Sequence, residues 1–128
     1  MTALPYILLY VENPRQSATF YSALLASQPV EASDTFALFV LDNGVKLGLW
    51  ARAGVQPAAT MTGGGSEYAI SVADEAALLQ TLADWQAAGA TLEQPVTAMD
   101  FGLTFTVSDP DGHRLRAFVP APHPMPEA

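Results

Sequence analysis

The residues able to do covalent or metal chemistry are few in this chain. It has no cysteine, which removes disulfides, thiol nucleophiles and thiolate metal sites together. Of its two histidines, His113 falls in a turn near the end and His123 in a proline-rich tail, so neither is placed to serve a shared site. Gly63-Gly64-Gly65 is not followed by Gly-Lys-Ser or Gly-Lys-Thr. The run therefore reads as part of a flexible linker rather than a phosphate cradle. Noncovalent chemistry remains: the flat indole of Trp50 can stack on a planar ring, and a carboxylate or guanidinium can take a polar group.

Charge narrows the partners. Thirteen Asp and Glu against five Lys and Arg leave a net charge of −8. No basic patch is available to neutralise a run of phosphates or grip an anionic bilayer, so neither nucleic acid nor membrane is an expected partner. An acidic surface attracts cationic ligands, although solubility alone accounts for it. Half of the residues are hydrophobic and 14% charged, enough apolar surface for a globular core, and 128 residues fit one domain. The apolar start, residues 3–11, lacks a basic leader and a small-residue cleavage site and is too short to span a bilayer. It reads as a strand of a cytoplasmic protein.

The elements that must position any site fall into two similar halves. Residues 6–11 are β-rich, and Asn13-Pro14-Arg15-Gln16 combines a capping residue with Pro at the first helical position and Gln at the third. This predicts a helix to about Leu25, with Phe20 and Leu24, and Tyr21 and Leu25, paired on its buried face. Extended pieces follow around Val30 and over 36–41 and 45–51, the last two joined by the hairpin turn Asp42-Asn43-Gly44. From Glu67 the order returns. A strand runs to Val72, Asp74 caps a helix carrying Leu78, Leu82 and Trp85, and Gly89 ends it. Strands over 91–98, 103–108 and 113–118 complete the half, the last two joined through Asp109-Pro110-Asp111-Gly112. Module one spans 4–52, a linker 53–66, module two 67–119 and a flexible tail 120–128. The fold class is α+β: two βαβββ modules forming a curved mixed sheet around a concave pocket.

Val11-Glu12-Asn13-Pro14 with Phe20-Tyr21, and the closing Ser108-Asp109-Pro110-Asp111-Gly112-His113-Arg114-Leu115, resemble the vicinal oxygen chelate superfamily. This group holds glyoxalases, dioxygenases and bleomycin-resistance proteins. Tyr10-Val11, Leu49-Trp50 and Phe101-Gly102-Leu103-Thr104-Phe105 resemble more narrowly its phenazine-antibiotic-resistance members. The resemblance implies metal ligands, in the enzymes, on the opening and closing strands of each half. Counting from the caps and turns puts Tyr6, Gly48, Glu67 and Arg116 there. Gly48 has no side chain, Tyr6 is a poor ligand near neutral pH, and Arg116 stays protonated. A guanidinium a few ångströms from a cation costs on the order of 4 kcal/mol at an effective dielectric of about 20. Only Glu67 suits a divalent ion, so neither metal nor other cofactor is expected.

Strand alternation then assigns the faces. With Tyr6, Leu8 and Tyr10 toward the concavity, Ile7, Leu9 and Val11 pack under the first helix. Lys46, Gly48 and Trp50, and Arg114, Arg116 and Phe118, face the same way, leaving Leu47, Leu49, Leu115 and Ala117 to the helices. Trp50 beside the small Gly48 leaves room for a planar ring. Phe36, Phe39, Met61, Met99, Phe101 and Phe105 are further candidates for the lining, each equally at home in a core. Glu67 and Arg116 either bridge each other or read ligand groups. The resemblance implies metal-independent sequestration of a planar aromatic antibiotic such as a phenazine by a homodimer. The alternatives are a lyase, isomerase or dioxygenase with a non-standard site, and a domain kept for interaction alone.

Overall fold

Each half opens with an edge strand that runs straight into a capped helix. The computed structural model describes residues 3–61 and 63–122. In module one, β1 (Tyr6–Val11) leads into α1 (Pro14–Leu25), followed by β2 (Glu31–Ala32), β3 (Phe36–Val40) and β4 (Lys46–Ala51). In module two, β5 (Glu67–Ser71) leads into α2 (Glu75–Ala87), then β6 (Thr91–Met99), β7 (Gly102–Ser108) and β8 (Arg114–Pro120). The Asn13 side chain accepts from the Gln16 amide at 3.1 Å and Asp74 from the Ala77 amide at 2.9 Å, satisfying amides that the first helical turn leaves free.

The modules form two four-stranded mixed sheets, ordered β1-β4-β3-β2 and β5-β8-β7-β6. In each, the first strand pairs parallel with the last and the others are antiparallel. The module expectation holds, with the sheet divided in two. Pro120, expected to begin the tail, closes β8 instead, where it lies opposite Gly102. His123 and the remainder of the expected tail, residues 123–128, lie outside the described residues.

The helix-side assignment holds for Leu47, Leu49, Leu115 and Ala117, all buried. They join Val11, Phe20, Tyr21 and Leu24 from module one and Leu78, Trp85, Phe105 and Val107 from module two in one continuous core. Trp85 meets Phe105 edge to face at 5.5 Å. Phe39 and Phe105 are fully buried in this core and take no part in a lining. Ile7 departs from expectation: it is 41% exposed. It sits on an edge strand with a neighbour on one side only, and lines a cavity of about 130 Å³ that it shares with Tyr21 and Leu25 of α1 and with residues of module two, instead of being covered by the helix.

The two hairpin turns share one backbone. In residues 41–45 the Leu41 amide donates to the Val45 carbonyl and the Gly44 amide to the Leu41 carbonyl; in 109–113 Asp109 and His113, and Gly112 and Asp109, repeat both bonds. Gly44 and Gly112 take φ of +86° and +84°, a conformation that a Cβ disfavours.

Candidate functional site

Parallel pairing of β1 with β4 sets Tyr6 opposite Lys46, Leu8 opposite Gly48 and Tyr10 opposite Trp50. All six lie on the sheet face turned away from α1. Tyr6 (54%), Leu8 (44%) and Tyr10 (37%) are exposed. The Tyr10 and Trp50 rings meet edge to face at 6.1 Å, and Lys46 Nζ stands 5.5 Å from the Tyr6 ring centre. The room expected above Gly48 is filled from within the module. A Cβ there would lie 2.7 Å from the Phe36 ring and 2.8 Å from Leu8, so the glycine admits those side chains rather than a ligand.

On the matching face of module two, Arg116 makes four side-chain hydrogen bonds. Its Nε and Nη2 donate to the two Glu67 carboxylate oxygens at 2.8 and 3.0 Å, and Nη1 donates to Gln94 Oε1 and Thr104 Oγ1, both at 3.1 Å. The guanidinium also lies 5.6 Å from the Phe101 ring centre, and Phe101 meets Phe118 edge to face at 5.8 Å. Of the two roles open to Glu67 and Arg116, the geometry realises the bridge. The hydrogen bonds from Arg116 hold the Glu67 carboxyl below its usual value of 4.5, against a smaller opposing effect of burial, and Glu67 in turn raises Arg116. Thr106 and Ser108 extend the polar face, donating to Gln94 at 3.2 Å and Glu93 at 2.7 Å.

These residues do not fit a divalent cation. Both Glu67 oxygens are held by the guanidinium, and the position of a Gly48 side chain is occupied by Phe36. Among the described residues no three of His, Cys, Asp and Glu gather as a metal site. Tyr6, Tyr10, Gly48 and Trp50 share one sheet face, and Glu67, Arg116 and Phe118 the other; the ring and ion contacts described above all stay within a module.

Sequence reasoning missed the purpose of the closing turn. Asp109 is 5% exposed and accepts from the amides of Asp111 (2.8 Å) and His113 (2.9 Å) through one oxygen and from the Tyr21 hydroxyl (2.7 Å) through the other. Burial, then the charge of Asp109, pushes the Tyr21 hydroxyl far above its ordinary value, so it stays protonated as a donor. Asp111 accepts from the Glu12 amide at 2.9 Å, and His113 Nε2 donates to the Tyr10 carbonyl at 2.9 Å. The motif staples module two to module one. The linker joins in: a Cβ on Gly63 would lie 2.5 Å from the His113 nitrogen. That glycine, read as part of a flexible linker, is needed for close backbone approach. A signal was available in the two acids and one His beside a turn glycine, but their partners lie far away in sequence.

Two βαβββ modules, each with one open sheet face, define a glyoxalase-like fold. A family model described as the Glyoxalase/Bleomycin resistance protein/Dioxygenase superfamily matches residues 3–117, and the chain belongs to that superfamily. It is 27% identical over 113 residues to the phenazine antibiotic resistance protein EhpR of Enterobacter agglomerans, covering 85% of each chain. Among solved structures it is similar to protein ATC0852 of Agrobacterium tumefaciens. That match has 51% identity, covers 95% of this chain and all of the other, and has a TM-score of 0.85. A glyoxalase-related enzyme of Fulvimarina pelagi matches at 26% identity and a TM-score of 0.80, over 93% of this chain and 88% of that one. Among the described residues no helix is long and apolar enough to cross a membrane.

Proposed function

We propose that this protein binds and sequesters a small planar aromatic compound, a phenazine-type antibiotic or a molecule of that shape, without metal and without turnover. The observation that carries this reading is the aromatic row on module one: the exposed Tyr6 and Tyr10 and the partly buried Trp50 share one sheet face with Leu8. Clustered exposed rings on a small acidic protein mark a surface that binds something apolar. Offset stacking on an indole contributes roughly 0.5 to 1.5 kcal/mol beyond burial of area. Sequestration needs tight stoichiometric binding and no reacting group, which suits a face with no nucleophile. The similarity to a phenazine antibiotic resistance protein supports the same reading.

In this reading the polar face of module two, with Glu67 and Arg116 joined in their ion pair, forms the facing wall, and Phe118 and Phe101 are its apolar corner. Two open faces per chain are best closed by a second copy across a twofold axis, so the working form is a homodimer in the cytoplasm. The test is tryptophan fluorescence quenching by phenazine-1-carboxylate and unsubstituted phenazine in wild-type and Trp50→Phe protein, with chromatography of the recovered compound and light scattering for mass. Saturable quenching that Trp50→Phe abolishes, with the compound recovered intact from a dimer, supports the reading. Chemical conversion of the compound, or unchanged quenching in Trp50→Phe, overturns it.

A further inference from the structure

The duplication leaves the two inter-module joints unlike each other. At the first, Tyr21 reaches from α1 to Asp109 in the closing turn of module two. Counting from the helix caps and from the turn glycines, the equivalents of Tyr21 and Asp109 are Leu82 and Leu41. The turn backbones match bond for bond, yet among the described residues no hydrogen bond ties α2 to residues 41–45. Beside Leu41, where the polar staple is missing, a cavity of about 330 Å³ opens on the helix-packed side, away from the aromatic face. That is within the usual range for sites that take small organic molecules.

Leu24, Leu25, Val40, Leu41, Ile70 and the buried Trp85 form its apolar wall, and Ser27, Asp42, Asn43 and Tyr68 its polar one. Asp42 is the only charged residue among those lining it, and among the described residues it forms no ion pair. The half-buried Tyr68 lies near that carboxylate: burial, and secondarily the charge of Asp42, raise its hydroxyl above the ordinary tyrosine value. That hydroxyl donates to no protein acceptor among the described residues, so a donor and an anionic acceptor are both left for a ligand. A cavity with one apolar wall and, on its polar side, one acid and a tyrosine hydroxyl, in a chain of net charge −8, is complementary to an apolar body ending in a protonated amine.

We propose that this cavity is a second binding site, separate from the aromatic face, for a small aryl- or alkyl-ammonium ion, with the apolar group against Leu24, Ile70 and Trp85 and the ammonium at Asp42. The inference does not depend on what binds at Trp50. The test is a titration of the full isotope-labelled chain with phenethylammonium, and with 2-phenylethanol as the uncharged counterpart, followed by amide and indole chemical shifts. Saturable shifts are expected at residues 41–43 and 68–70 and at the Trp85 indole. Asp42→Asn is expected to weaken the amine about three- to fivefold, the scale of a partly screened ion pair, and to leave the alcohol unchanged. Ser27→Phe, which fills the chamber from its wall, should abolish both sets of shifts. Shifts confined to β1 and β4, no saturable shifts, or equal affinity of wild-type and Asp42→Asn protein for the amine would each overturn the proposal. Quenching of Trp50 by phenazine is read separately, so the two sites stand or fall independently.

Discussion

The open faces of the two modules carry opposite chemistry at equivalent positions. Where module one has Tyr6 and Gly48, module two has Glu67 and Arg116; where module one has Tyr10, module two has Ser71. Trp50 and Phe118 alone are aromatic in both. Module one keeps Tyr6 and Tyr10 exposed and its one cation on that face, Lys46, over a tyrosine, whereas module two ties Arg116 to Glu67 in a two-pronged ion pair. The joints differ too, one stapled by hydrogen bonds and the other open, with a cavity in place of the staple. The two halves share element order and turn glycines and differ in the side chains of their open faces and in the length of the third element, two residues in β2 and nine in β6.

The largest effect should come from the stapled joint. Asp109→Ala leaves two amides and the Tyr21 hydroxyl without their acceptor and should cost about 3 kcal/mol in urea denaturation. Leu41→Ala, its counterpart at the open joint, loses only half-buried apolar contact and should cost about 1–2 kcal/mol. Equal losses would mean that the joints do not differ as described. Next, Gly63→Ala drives a methyl into the His113 backbone and should cost about 2 kcal/mol, while Gly65→Ala meets open space and should stay within about 0.5 kcal/mol, checked by thermal unfolding.

A smaller effect tests the ion pair. Because Glu67 titrates below its ordinary value of 4.5 when folded, its contribution is fully present above that pH and is lost as the pH falls through the folded value. Arg116→Met should therefore destabilise the protein by about 1–2 kcal/mol near neutrality, and the gap to wild type should narrow in acid. A gap independent of pH would remove the electrostatic account. The smallest effect sharpens the contrast between faces: Trp50→Phe should weaken phenazine binding about fivefold, the scale of a stacking contact, while Phe118→Leu changes it less. The reverse order, read by equilibrium dialysis, would move the aromatic platform to module two.

The amino-acid sequence by itself determined the two-module order, the caps at Asn13 and Asp74, both hairpin turns and the helix-facing sides of β4 and β8. Each depends on residues a few positions apart, where capping, turn chemistry and periodicity act directly. It also brought Glu67 and Arg116 together as candidates, without deciding between a bridge and a free reader. Tertiary structure decided that choice by bringing Gln94 and Thr104 to accept from Nη1 beside the two bonds to Glu67. It also placed the Phe36 ring over Gly48 and Ile7 outside the cover of α1. The bonds from Tyr21 to Asp109 and from His113 to Tyr10 span 88 and 103 residues. Whether such distant groups meet is set by how one module docks on the other, and no local pattern encodes that distance.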